Sequence, residues 1–431
     1  MIPVRIASFT FAASSLALVC CVALACGEGK PPRKDRHRDS EVSAAQPTQD
    51  APAANPSDDP DTKHHKKDKA DKEDKTDKQD KKDHQSDDAA NSASSTAGSS
   101  TPSDAKDSKN DKRKHDHTVK PTDVQWLLTM HGVDGKPQGI WALTGEGHLQ
   151  GPVNAPLADG PAGAAPHDLR GLTPLPDGGF LAMNAFMKDT RILHFGAKND
   201  QGVYPFIADF VKQGPENPAM VHAYQMAIGP DGQVYVSNQD TNTVTRYVGL
   251  GQPNAGQPLS PPAALSHLAD LAPGVIVPNA KSSPEGITEV RGIAFAPDGL
   301  LYVCDRTGAR VSGYDTTTGR RIKIVADASH GLKHPIQLAF TPDGTTMFIG
   351  DNGVDGVFKV NLASGAVDPF IKKDEGGLKA PSAIVVQGNW LFVASREGKK
   401  ILRFHLKDGK ADDKPFAELP DNPEFLMHIG E

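Results

Sequence analysis

Ile293-Ala294-Phe295-Ala296-Pro297-Asp298-Gly299-Leu300-Leu301-Tyr302-Val303-Cys304-Asp305 is the stretch that decides the fold. Two short apolar runs flank Pro-Asp-Gly. The Pro presets φ and the Gly allows positive φ, so the chain reverses between two strands. The same unit recurs as Leu172-Thr173-Pro174-Leu175-Pro176-Asp177-Gly178, Met226-Ala227-Ile228-Gly229-Pro230-Asp231-Gly232 and Leu338-Ala339-Phe340-Thr341-Pro342-Asp343-Gly344. A fifth copy, Ile384-Val385-Val386-Gln387-Gly388-Asn389-Trp390-Leu391, has a shorter turn. The four Pro-Asp-Gly copies start at residues 176, 230, 297 and 342, a spacing of 54, 67 and 45 that suits propeller blades with loop insertions.

Each second strand ends in Asn or Asp in the first four copies (Asn184, Asn238, Asp305, Asp351), and a third strand follows, as in Val311-Ser312-Gly313-Tyr314 and Val357-Phe358-Lys359-Val360. A fourth, outer strand completes the unit. Five copies leave fragments at both ends. Pro423 to Ile429 aligns with a first strand that nothing follows, while Val124 to Met130, Gly139 to Thr144 and His148 to Val153 lack a first strand before them. Joining the ends makes a sixth blade and hides edges that would otherwise template aggregation. The expected fold is all-β: a six-bladed β-propeller over residues 121–431, its last blade closed by N- and C-terminal strands.

These repeats, with the turn Tyr314-Asp315-Thr316-Thr317-Thr318-Gly319, resemble the NHL-repeat family within the NHL and gluconolactonase-like six-bladed superfamily. The resemblance implies that a ligand or metal sits at the mouth of the central channel. The channel-facing position near the start of each innermost strand is Arg170, Tyr224, Arg291, Ile336, Ser382 and Glu424. Gluconolactonase relatives place Asn, Asp and Glu at such positions for a divalent cation, and peptidyl-hydroxyglycine lyases place His for zinc; neither set is present. Two arginines and a tyrosine favour a carboxylate or phosphate over a cation. The plainer alternative is that Arg170 and Arg291 pair with Glu424 and backbone carbonyls. Two residues earlier stand Asp168, His222, Glu289 and His334, whose side chains are of the types that hold Zn, Fe or Mn if they converge. Cofactor identity is left open by the sequence, with a divalent metal at these four residues as the candidate.

Outside the repeats the chain changes character. Residues 1–25 carry one charge, Arg5, and an apolar run from Ile6 to Ala25 that ends in small residues, the pattern of an export signal. Val22-Ala23-Leu24-Ala25-Cys26-Gly27 resembles a bacterial lipobox, with Cys26 as the lipidated residue; Cys20 and Cys21 lack the preceding small residue. The run of about 20 residues would also be long enough for an anchor helix. From Lys30 to Lys120 there are 20 Lys/Arg against 20 Asp/Glu and almost no large apolar side chains. Such a segment lacks the surface to offset chain entropy, so residues 26–120 are expected to form a disordered tether spanning on the order of 50 Å. Its six His residues (His37, His64, His65, His84, His115, His117) read as part of a solubilising composition. The net charge of −7 resides in the part beyond Lys120, which argues against a nucleic-acid partner. Cys304 alone cannot form a disulfide within that part and reads as a buried strand residue.

These features predict a lipoprotein with a signal peptide, attached to the bacterial cell envelope through its N-terminal lipid, periplasmic or at the cell surface. No Gly-x-Ser-x-Gly, His-Glu-x-x-His, P-loop or dinucleotide fingerprint is present. The favoured function is a non-catalytic binding or scaffold module for a protein or small-molecule ligand. The competing one is a metal-dependent lactonase- or lyase-type enzyme at the channel mouth.

Overall fold

The computed structural model of the chain describes residues 124–132, 138–154 and 165–430. The signal segment, the lipidation candidate Cys26 and the expected tether lie outside the described residues.

Among the described residues twenty-four strands form six four-stranded antiparallel sheets. Blade 1 runs outward from Leu169–Pro174 through Phe180–Asn184 and Arg191–Phe195 to Phe206–Lys212. Blades 2 to 5 begin at Ala223–Ile228, Val290–Phe295, Pro335–Phe340 and Pro381–Gln387. Blade 6 has Pro423–His428 innermost, followed by Val124–Met130, Trp141–Thr144 and Leu149–Pro152. The seam is antiparallel, with Leu127 opposite Met427 and Leu128 opposite Leu426. Each innermost strand packs against its counterparts in the preceding and following blades, which closes the ring.

Packing follows from the pattern of each strand. The second strand of blade 3, Leu301–Asp305, is buried along its whole length, because it has sheet on both sides and a neighbouring blade on each face. Its outer strand, Arg320–Ala326, alternates and leaves Ile322 and Ile324 exposed beside Arg320 and Lys323, charges that discourage edge-to-edge pairing. The apolar side chains gather between blades. Phe180, Leu193 and Phe195 of blade 1 pack with Leu127 and Met427 of blade 6, while Tyr302 and Cys304 of blade 3 pack with Met347 and Ile349 of blade 4. A single blade therefore cannot bury its own faces, and stability is a property of the ring. Cys304 is fully buried, as its strand context predicts, and burial pushes its thiol pKa up, which makes it inert.

At the turns, Gly178, Gly232, Gly299 and Gly344 have φ between 66° and 84°, the left-handed conformation that Pro-Asp-Gly supplies. Asp231 and Asp298 also accept hydrogen bonds from Tyr235 and Tyr302 hydroxyls at 2.9 and 2.7 Å. Turn and second strand are thus fastened by the same residue.

Candidate functional site

The buried residue ending each second strand shapes the channel mouth. Asp305 accepts hydrogen bonds from the backbone N–H groups of Thr288 and Glu289 at 3.1 and 2.9 Å. Asp351 does the same for Lys333 and His334 at 2.7 and 2.9 Å. Asn184 and Ser395 bind the backbone N–H groups of His167 and Lys379. The following residue then donates its own N–H to the carbonyl at the start of the inner strand: Ala185 to Asp168, Gln239 to His222, Arg306 to Glu289, Asn352 to His334, Arg396 to Ala380 and His131 to Asn422. Eighteen residues, three per blade, thereby acquire equivalent places around the mouth.

The charged members form two groups. In the first, the Glu424 carboxylate receives Arg396 Nε at 3.0 Å and His131 Nδ1 at 3.1 Å, with Arg170 Nη1 at 3.7 Å. Arg170 also meets Asp168 at 2.5 Å. His222 Nε2 lies 3.8 Å from Asp168, and its Nδ1 lies 3.0 Å from Asp240. Burial pushes the Glu424 carboxyl up, but the His131 hydrogen bond and the guanidinium groups of Arg170 and Arg396 outweigh it, so its pKa lies below the usual range. The hydrogen bond to Glu424 raises the His131 pKa against the opposing effects of burial, Arg170 and Arg396. Burial raises the Asp168 pKa, and Arg170 and His222 recover only part of that shift.

The second group belongs to blade 3. Glu289 receives Arg291 Nη2 at 2.5 Å and Arg306 Nη1 at 3.1 Å. Burial lowers the Arg291 pKa, with Glu289 opposing. The Arg291 guanidinium carbon lies 5.8 Å from the centre of the Tyr224 ring. Below both groups Tyr224, Ile336 and Phe425 form an apolar plug, with the Tyr224 and Phe425 ring centres 5.1 Å apart.

The residues at the expected channel positions take different roles. Arg170, Arg291 and Glu424 are the charged members. Arg170 pairs with Glu424, as the plainer sequence reading anticipated, and Arg291 pairs with Glu289 instead. Tyr224 and Ile336 belong to the plug. Ser382 is buried and donates to the Pro423 carbonyl at 2.7 Å, so it links blades 5 and 6 rather than facing a ligand.

The four expected metal ligands do not gather. Asp168 faces Arg170 and His222, Glu289 faces two arginines, and His334 is fixed through its backbone. Among the described residues no group of three or more His, Cys, Asp or Glu side chains is arranged to hold a metal ion. The carboxylates that a cation would need are already engaged by guanidinium groups. The residues present at the mouth do not fit a metal.

Sequence reading missed His131, Arg306 and Arg396. A signal existed: each directly follows the residue that ends a second strand, a position the repeat alignment already marks in blades 1 to 4.

No protein-family model matches the chain, and no curated protein matches it in sequence. Solved structures do resemble it. A chain of the nidogen/laminin complex is 13% identical with a TM-score of 0.50, over 71% of this chain and 98% of that one. A 6-phosphogluconolactonase-like protein of Bacteroides fragilis is 16% identical with a TM-score of 0.47, over 71% and 98%. A catalytically inactive virginiamycin B lyase of Staphylococcus aureus is 15% identical with a TM-score of 0.37, over 58% and 70%. At such identities the likeness speaks for the fold alone.

Proposed function

We propose that this chain is an NHL-like lipoprotein of the bacterial cell envelope, held through lipidated Cys26 and a disordered tether, whose propeller binds a partner at the channel mouth without catalysing a reaction. One observation carries the choice of binding over catalysis: the mouth carboxylates Asp168, Glu289 and Glu424 are each engaged by at least one arginine. A lactonase or lyase would need carboxylates open to a cation, or a nucleophile, and Ser382 is tied to a backbone carbonyl. Ion-paired arginines on rim turns instead suit recognition of polar groups on a partner. The tether expected from composition suits a domain that must reach something beyond the anchoring surface.

The test places a photo-crosslinking residue at Met187, exposed on a turn of the mouth face, and separately at Thr317, on a turn of the opposite face, in living cells. A discrete crosslinked product from Met187 and none from Thr317 is expected. Crosslinks from Thr317 alone, or metal-dependent lactone hydrolysis by the purified chain, would overturn the reading.

A further inference from the structure

We infer that the channel mouth binds the acetamido group of an N-acetylated sugar, held by Tyr224 and Glu424 above the apolar plug; the inference rests on the binding reading above and names its ligand. The case begins with two polar atoms that lack a partner. Tyr224 and Glu424 are only 5% and 4% exposed. The buried hydroxyls of Tyr235, Tyr302 and Tyr314 donate to Asp231, Asp298 and the Glu285 carbonyl. The Tyr224 hydroxyl makes no hydrogen bond among the described residues. Glu424 receives His131, Arg396 and Arg170 all on Oε1, and its Oε2 has no hydrogen-bond partner among the described residues. Neither atom is sealed off from solvent, so both open on the channel.

Placement and chemistry agree. Tyr224 belongs to blade 2 and Glu424 to blade 6, and the Tyr224 ring meets Phe425, the residue after Glu424, with ring centres 5.1 Å apart. Burial raises the Tyr224 pKa and the nearby Glu424 charge adds to the rise, so the hydroxyl keeps its proton and is a donor. Glu424, with its pKa below the usual range, is an ionised acceptor. A donor and an acceptor close to one another take a group that carries the reverse pair, a C=O and an N–H. Ile336 and Phe425 pack with Tyr224 and keep only 6% and 3% of their surface accessible, enough for a methyl end and not for a longer alkyl chain. An acetamido group combines these three features.

The charges of the mouth argue for an uncharged ligand. Arg170 meets Asp168, Arg396 meets Glu424, and Arg291 and Arg306 meet Glu289. Asp305 and Asp351 add negative charge where the second strands of blades 3 and 4 end. No arginine there is left to call for an anion. Above the plug the rim is polar: His131, His222, Arg306 and Arg396 all remain partly exposed. A hydroxyl-bearing ring suits such a rim, whereas an aliphatic stem would leave these groups without hydrogen bonds.

Saturation-transfer and titration NMR of the full chain test this with N-acetylglucosamine and with glucose, which has a hydroxyl in place of the acetamido group. N-acetylglucosamine should bind at least tenfold more tightly than glucose, and its acetyl methyl protons should receive more saturation than its ring protons. Y224F keeps the ring and removes the donor, so it should weaken N-acetylglucosamine binding about threefold to tenfold, the worth of one hydrogen bond. K410Q on the opposite face should leave binding within twofold. Melting temperatures establish that the variants are folded, and the methyl saturation pattern needs no variant at all. Absence of N-acetylglucosamine binding, equal binding of glucose, ring protons saturated more than the methyl, or a folded Y224F that binds as well as the parent would overturn the inference. Crosslinking from Met187 would stand in any of these cases, so the two failures are distinguishable.

Discussion

His131 donates from Nδ1 to the Glu424 carboxylate at 3.1 Å across 293 residues of sequence, and this bond joins the two ends of the propeller at its mouth. His131 directly follows Val124–Met130, the N-terminal strand of blade 6, and Glu424 stands in the C-terminal strand of the same blade. The group most central to the candidate site is therefore built across the ring seam.

A pH dependence follows. The raised pKa of His131 means its contribution to stability is full below the unfolded value near 6.5 and is lost as pH rises through the higher folded value. Glu424 has a lowered pKa, so its contribution is present above the unfolded value near 4.5 and is lost as pH falls through the folded value. Asp168 runs the other way: its raised pKa means that keeping it ionised costs stability, and the cost is relieved on acidification. Melting temperature should thus be highest between about pH 4.5 and about pH 6.5 as far as this pair decides it. H131Q should flatten the decline above that window and, because the His131 hydrogen bond is the foremost influence lowering the Glu424 pKa, weaken the acid limb as well. An unchanged profile in H131Q would contradict the assignment.

A second prediction concerns Arg191, whose side chain is fully buried between Asp189 at 2.8 Å and Asp209 at 3.0 Å. Replacement by Met keeps the volume but leaves two carboxylates facing each other across an apolar side chain. Breaking a buried pair typically costs 3–5 kcal/mol; both aspartates retain some water, so R191M should cost about 3 kcal/mol. Denaturant unfolding measures it, and a loss below about 1 kcal/mol would mean that solvent screens this cluster as it does a surface pair.

The fold was legible because four of the repeats write the same physics: apolar run, Pro-Asp-Gly, apolar run, Asn or Asp. Even the split blade was legible, since Pro423 to Ile429 has the pattern of a first strand with no continuation. The mouth was legible only in part. Alignment locates Arg170, Arg291 and Glu424, but the partner each takes depends on how far neighbouring blades stand apart, which no repeat encodes. Asp168, His222, Glu289 and His334 share a ring position, yet a shared position does not bring side chains to one point. The arginines of adjoining turns reach Glu289 and Glu424 first.

The anchor gives a third prediction, drawn from the sequence N-terminal to the propeller. Mature protein should begin at Cys26 with lipid attached, as mass spectrometry of the membrane fraction would reveal. C26A should release the protein from membranes, since each buried methylene contributes about 0.8 kcal/mol to anchoring. An unmodified Cys26 in membrane-bound protein would point to an uncleaved helix instead.

The last prediction is that ring closure holds the whole domain, not just its end. Val124–Met130 pairs with Pro423–His428 through Trp126–His428, Leu127–Met427, Leu128–Leu426 and Thr129–Phe425. Leu426 is buried in the cluster between blades 5 and 6, among Trp126, Leu128, Phe392 and Phe416. Trp126 packs within that cluster, its ring tilted against Phe392 with the ring centres 4.4 Å apart. Bringing together strands almost 300 residues apart costs entropy that grows only slowly with length, whereas the seam buries large side chains and covers two sheet edges. L426A should therefore cost about 3 kcal/mol, within the range for buried leucines. Deleting residues 422–431 should do far more. It removes the innermost strand of blade 6, the Glu424 carboxylate that gathers Arg170, Arg396 and His131, and the partner surface of blades 1 and 5 together. Because each blade buries its faces only against its neighbours, that loss should lower the melting temperature of the entire propeller in one cooperative transition. A truncated chain that melts at the same temperature as the intact one would sink the closure argument, and so would early fraying confined to blade 6 with the other five blades unaffected.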